Sequence, residues 1–275
     1  MEIRRLKTPE EYREGERVQR VVWHFPDREI VPLNELVVLQ KHGGHVFGAF
    51  DDGKMIAFCF GCPAYRDGKV YHYSRMLGVM PGNKDSGIGT TMKLKQREYV
   101  LKQGLDLVVW TFDPLQSRNA YLNIEKLGCV IREYSVNLYP ESASRFNKGL
   151  ESDRFTPEWW IASKRVKERL AGKRPHHDVG RYAIALETRT NDEGWRAPVA
   201  VRTNLKDRRV SIEIPDDIDA LKKKDLKLAQ VWRFRSREAF LAYFKRGYVI
   251  TGFASKMEED RRRSFYLLEK GFRVR

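Results

Sequence analysis

The spacing of apolar positions along this chain changes period several times, and each change marks an element. Thr8-Pro9-Glu10-Glu11 is a capping box with proline at the first helical position, and Val18, Val21, Val22 and Phe25 mark the apolar face of the helix it starts. A second helix is expected over Val31 to His42, with Pro32 early and Gly43-Gly44 ending it. Three strands follow, His45–Phe50, Met55–Cys62 and Val70–Val79. They are joined by Asp51-Asp52-Gly53 and Arg66-Asp67-Gly68, both hairpin signals. From Ile88 the pattern turns helical, with Met92, Leu94, Tyr99 and Leu101 apolar and Gly104 as the stop. Leu105–Phe112 is a continuous apolar strand apart from Asp106. Ala120–Leu127 is a helix closed by Gly128, and Cys129-Val130-Ile131 opens the next strand.

Beyond this point the pattern is less regular. Residues 146–180 read as a bridge containing Trp159-Trp160-Ile161, a short basic helix near Lys164–Leu170, and Lys173-Arg174-Pro175-His176-His177. Strands are expected near Tyr182–Glu187, Val199–Thr203, Val210–Ile214, Tyr248–Ala254 and Phe265–Leu268, with a long helical region between Asp216 and Arg246. Phe240–Val249 repeats the helix–Gly–strand logic of Glu125–Val130. That is either a degenerate second half or a coincidence of helix-stop chemistry. The order predicts an α+β fold: a mixed, mostly antiparallel central sheet flanked by helices over residues 1–145, then the bridge, then a second, smaller α+β domain over 181–275.

Composition narrows the function classes. The chain has 275 residues, enough for a substantial core, and no run of 18 apolar residues, so no membrane span is expected. Met1-Glu2-Ile3-Arg4-Arg5 has no signal-peptide apolar core, and three cysteines do not suggest a disulfide framework, so a cytoplasmic location is expected. Cys59-Phe60-Gly61-Cys62 lies on a strand, where residues three apart point to opposite faces, so these read as core cysteines and no metal site is expected. Net charge is +15. Residues 1–150 hold 22 basic against 18 acidic residues, and residues 151–275 hold 30 against 19. Lys222-Lys223-Lys224 follows Asp216, Asp217 and Asp219, so the excess reads mainly as a solvated surface. No RNA-recognition aromatic motif accompanies it, and nucleic acid ranks last among partners.

The most specific chemistry lies in Leu77–Thr90. A strand, a glycine-punctuated turn and a helix start place several backbone N–H groups around one point, which suits phosphate oxygens. Lysine and Ser/Thr do not follow the last glycine in Walker order. The dinucleotide fingerprint lacks its third glycine, since Met92 stands there.

The loop does resemble the pyrophosphate loop of the GNAT N-acyltransferases. Val79-Met80-Pro81 is followed by Lys84-Asp85-Ser86-Gly87-Ile88-Gly89, with Lys84 where Arg or Gln is usual and Asp85 where many relatives have Gly. Asp113-Pro114-Leu115-Gln116-Ser117-Arg118-Asn119 and Glu125-Lys126-Leu127-Gly128-Cys129 match a second stretch of that family in register, and the likeness covers residues 1–140. Met76–Val79, Trp110–Leu115 and Arg118-Asn119 also resemble a branch of GNAT proteins with a C-terminal extension, some linked to N-succinylation of amino acids.

The resemblance implies acetyl-CoA or another acyl-CoA, succinyl-CoA included, held by Lys84, Asp85, Ser86, Gly87, Ile88, Gly89 and Thr90. A backbone N–H of Leu77, Gly78 or Val79 would polarise the thioester, and Gly78 would let it lie close to the strand. Asn119 would contact the pantetheine arm, or cap a helix, or both. Asp113 is a candidate base or the cap of the Pro114 turn. His72 and Ser74 share one strand face, Tyr73 and Arg75 the other. His72 reads as a substrate contact or a satisfied core residue, and Arg75 as the partner of a substrate carboxylate or a surface ion pair. Ile124 stands where many relatives carry a tyrosine acid, so Tyr121, Tyr139 or water must supply the proton. The expected acceptor is a small-molecule amine such as an amino acid, and a homodimer is compatible with the chain. The alternatives are a non-catalytic acyl-CoA sensor and, last, a nucleic-acid- or protein-modifying enzyme.

Overall fold

A computed structural model describes residues 1–83, 86–140, 149–258 and 261–274. The chain packs as two compact units. Among the described residues the first comprises 1–110, and the second comprises 111–140 and 149–274.

In the first unit, β1 (Glu2–Arg5), β2 (His45–Asp51), β3 (Lys54–Arg66), β4 (Lys69–Val79) and β5 (Leu107–Val109) form a sheet in that order. The pairings are antiparallel except β4 with β5, which is parallel. Both expected hairpins close with two consecutive positive-φ residues, Asp52-Gly53 and Asp67-Gly68, the backbone that matches strand twist. α1 (Pro9–Trp23) starts as expected, with the Thr8 side chain accepting from Glu11 N. α2 (Leu33–Lys41) follows Pro32. These two helices cover one sheet face through Val18, Val22, Leu36, Phe58 and Phe60. α3 (Ile88–Lys102) covers the other, setting Ile88 and Met92 on Phe47, Ala49, Ala57 and Cys59.

The second unit begins with α4 (Ser117–Ala120), which runs into a π-turn over Tyr121–Lys126, where Leu127 N donates to Leu122 O at 2.9 Å. Its sheet has the order β7-β6-β12-β13-β11-β8, made of β6 (Val130–Ser135), β7 (Arg154–Trp160), β8 (Ala183–Ile184), β11 (Arg209–Ile214), β12 (Tyr248–Glu258) and β13 (Arg261–Lys270). A separate ribbon pairs β9 (Leu186–Thr190) with β10 (Arg196–Val201). Two more short helices, α5 (Lys164–Leu170) and α6 (Ile218–Lys224), flank this unit. The 20-residue α7 (Leu226–Lys245) packs on β6, β10, β11 and β12. Its Trp232, Phe240 and Tyr243 meet Phe155, Tyr248 and Tyr266 in the core.

Two expectations change. The segment 146–180 is not a plain bridge: it carries β7, antiparallel to β6, and Trp159 is a core residue whose indole donates to Leu127 O at 2.8 Å. Pro157 within the strand masked its period. The division between units falls at Trp110/Thr111 rather than near residue 145, because β6 pairs with β12 at Ile131↔Ile250.

Candidate functional site

The β4–β5 ladder consists of His72↔Val108 and Tyr73↔Val109. Among the described residues, Ser74–Val79 is paired only on its β3 side, so the two strands part after Tyr73. The β3 register shifts at the same place. Phe60 opposes Met76 and Gly61 opposes Ser74, which leaves Arg75 as a bulge residue that bends β4. The bulge interrupts the alternation expected for Tyr73 and Arg75, and Arg75 is exposed.

A helical turn, Pro81–Asn83, follows β4, and Gly87 takes the left-handed conformation at φ 82° as the N-cap of α3. A Cβ on Gly87 would meet nothing within 4 Å, so glycine is there for its backbone angle and leaves the cap open. Among the described residues no side chain caps α3 and no acid lies in its first turn. Thr91 N makes the first helical bond, to Gly87 O at 3.1 Å, leaving the N–H groups of Ile88, Gly89 and Thr90 ahead of it. The Cβ position of Gly89 lies 3.7 Å from Leu77 and 3.9 Å from Val79, so the helix start rests on the end of β4 beyond its pairing with β5. Ser86 is exposed, and its hydroxyl donates to Asn83 O at 2.6 Å. Lys84 and Asp85 lie outside the described residues.

Gly78 has a different reason from the one expected. A Cβ there would lie 2.5 Å from the Trp23 indole of α1, so the glycine makes room for Trp23. His72 and Ser74 do share a face, but it is buried beneath α3. The Lys93 ammonium donates to Ser74 Oγ at 2.9 Å and to Gln96 Oε1 at 3.0 Å, and it lies 3.6 Å from the centre of the Trp110 ring. His72 stacks on His45 at 4.9 Å, and both rings use the space left by Gly61, whose Cβ would meet His72 Nε2 at 2.7 Å. Among the described residues neither ring nitrogen of His72 has a hydrogen-bond partner. Burial, helped by the Lys93 charge, pushes His72 down to about 3 and His45 well below the ordinary histidine value. Burial pushes the Cys59 thiol up to about 11, so it is an inert core cysteine. Lys93 and Gln96 were missed from the sequence. The available signal was a polar residue, Gln96, on the stripe Ile88, Met92, Val100.

The remaining candidates belong to the second unit. Asp113 is buried, and Arg233 Nη2 donates to both its oxygens, at 2.8 and 2.6 Å. Burial would raise this carboxyl, but Arg233 and Arg154 outweigh it and hold it below the ordinary carboxylate value. A carboxylate so held is a weaker base than a free one. It also accepts from Leu115 N at 2.8 Å, the capping role that Pro114 suggested. Asn119 is an exposed residue inside α4, where Gln116 is the N-cap, so it caps nothing. Tyr121 is partly exposed and accepts from Arg174 at 3.0 Å, and Tyr139 is half-buried with its hydroxyl 3.4 Å from Thr111 Oγ1. Ile124 is fully buried. The Glu125-Lys126-Leu127-Gly128 motif is a junction: the Glu125 carboxylate accepts from Phe253 N at 2.9 Å and lies 3.0 Å from His177 Nε2. Among the described residues, no group of His, Cys, Asp or Glu fits a metal ion, and no helix is long and apolar enough to cross a membrane.

No protein-family model matches the sequence, and no curated protein matches it. Several solved structures are similar. An aminoglycoside 6'-acetyltransferase type Ii is 18% identical over 60% of this chain and 99% of its own, with a TM-score of 0.48. An acetyltransferase of the GNAT family from Streptococcus pneumoniae is 18% identical over 57% of this chain and 96% of its own, with a TM-score of 0.45. The NatC complex bound to Gag peptide and CoA is 14% identical over 57% of this chain and 98% of its own, again at 0.45. The chain's own element order carries the conclusion. A strand, two helices, three meandering strands, a helix after a glycine turn, a parallel strand, a helix and a strand follow one another in the order read from the sequence, and the fold is α+β with a mixed, mostly antiparallel sheet.

Proposed function

We propose that this protein is an acyl-CoA-dependent N-acyltransferase that moves an acetyl or succinyl group to the amine of a small molecule such as an amino acid. The observation that carries the reading is the start of α3, with no side-chain cap among the described residues, resting on the end of β4 beyond its pairing with β5. The cradle fits an anionic pyrophosphate: open space at Gly87, three leading N–H groups, and no described acid in the first turn. In this reading the N–H groups of Ile88, Gly89 and Thr90 hold phosphate oxygens, each favourable interaction worth about 0.3–1 kcal/mol at an exposed helix end. Bound there, the acyl thioester supplies an electrophilic carbonyl and a thiolate leaving group. A β4 N–H among Leu77, Gly78 and Val79 donates to the developing oxyanion. With His72 and Ser74 buried and Asp113 paired to Arg233, the amine proton leaves to solvent, so the acceptor must arrive neutral.

The test is release of free thiol when the purified protein meets acetyl-CoA or succinyl-CoA with a panel of amino acids. Absence of release with every donor overturns the transferase. A second reading, an acyl-CoA sensor, is favoured by the buried Ile124 in place of a tyrosine acid and by the ion-paired Asp113. It expects CoA binding by calorimetry without turnover.

A further inference from the structure

Lysine is a costly choice for position 93. Its neighbours on the inward face of α3 are Ile88, Met92 and Val100, and its side chain is 5% exposed. Burying an ammonium costs several kcal/mol unless other groups replace its water. Here they do. Ser74 Oγ and Gln96 Oε1 accept from it, and the Trp110 ring presents its negative face.

The placement of those partners gives the residue a purpose. The last β4–β5 pair is Tyr73↔Val109. Ser74 is the next residue of β4 and Trp110 the first residue after β5, where another pair would form if the ladder continued. The ammonium is held by both, and the β4 bulge at Arg75 follows at once. The polar neighbours behind it, His72 and His45, are held uncharged by burial and by the Lys93 charge, while Ser74, Gln96 and the Trp110 ring contact the ammonium.

We infer that Lys93 is a positioning residue whose ammonium, held by Ser74 and Trp110, sets where β4 and β5 part and so shapes the inner end of the cleft for the pantetheine arm. This rests on the acyl-CoA reading above. It separates two parts of one ligand: the diphosphate at the start of α3, and the arm that follows β4.

The experiment compares Lys93→Met, which keeps length and loses charge, with Lys93→Arg and the natural protein. Calorimetry measures the binding of CoA and of ADP, which carries a diphosphate and no arm, with circular dichroism and thermal unfolding as controls. The expected result is a folded Met variant whose CoA affinity falls about tenfold while its ADP affinity stays the same, with part of the loss recovered in the Arg variant. Unchanged CoA affinity in the Met variant overturns the inference, and so does an equal loss for both ligands. Should the Met variant not fold, Ser74→Ala and Trp110→Phe ask the same question, and equal CoA and ADP affinities to the natural protein in both would sink it. A natural protein that binds neither ligand removes the acyl-CoA reading, and this inference falls with it.

Discussion

The two units bury different kinds of polar group. In the second, buried carboxylates meet arginines, one buried and two partly exposed: Arg233 pairs with Asp113, Arg237 with Asp153, and Arg263 with Glu213. In the first, the polar groups around Lys93 beneath α3 are His45, His72, Ser74, Gln96 and Cys59, and two imidazoles keep nitrogens without partners among the described residues. Compensated charge is what a core needs in order to hold one arrangement. Among the described residues, buried polar atoms without partners occur in both units, Arg233 Nε and Nη1 in the second included, but in the first they are imidazole nitrogens beneath the helix that starts the proposed phosphate cradle, where they cost stability.

The largest expected effect tests the compensated side. Arg233→Met leaves the Asp113 carboxylate buried without its main partner, and should lower stability by about 3–5 kcal/mol, read as a drop in the urea midpoint. Asp113→Asn should also destabilise, without shifting the pH at which any thiol release rises. A pH-shifted rate with unchanged stability would return Asp113 to the role of base.

Acid comes next and acts on the uncompensated side. His72 is pushed down to about 3 when folded, against an ordinary value near 6.5, so the unfolded chain binds more protons below that value. Its contribution is therefore complete above pH ~6.5 and is lost as pH falls toward about 3. Compared with His72→Leu, the natural protein should lose about 1.4 kcal/mol more per pH unit in this window, or about 3 kcal/mol by pH 4.5. Urea midpoints measured from pH 7 to 4 for both proteins check it, and parallel curves would contradict the burial argument.

The smallest effect sharpens the contrast at two glycines. Gly87 and Gly247 both have positive φ, 82° and 79°, and open space at Cβ. Alanine at either should cost about 1–2 kcal/mol from backbone strain alone. Only Gly87→Ala should also weaken CoA binding, measured by calorimetry, because only Gly87 starts α3. Equal CoA affinity in both variants would move the ligand away from that helix.

Much of the fold was legible in advance because local rules and tertiary packing agree there. Thr8 caps α1, Asp52-Gly53 and Asp67-Gly68 close hairpins, Gly104 and Gly247 end helices at positive φ, and α5 spans Lys164–Leu170 as its charge and apolar spacing suggested. The candidate site was legible in part. The glycine turn and the start of α3 stand where expected, because a strand, a left-handed glycine and an uncapped helix are encoded within a few consecutive residues. The side-chain assignments fared differently. Asp113 looked available because its partner Arg233 is 120 residues away, and Gly78 looked like room for a thioester because Trp23 lies on another element.

By itself the sequence determined most element types of the first unit, the hairpin turns, the start of α3 and the α+β class, all of which follow from spacings of a few residues and from glycine and proline stereochemistry. Only the tertiary structure decided which polar groups are paired. It also joined β7 to β6, assigned β6 to the second unit, and brought Lys93 to the parting of β4 and β5. Burial and partnership depend on residues far apart in the chain, and they set whether a histidine is neutral, a carboxylate is spent, or a lysine holds two strands at a fixed separation.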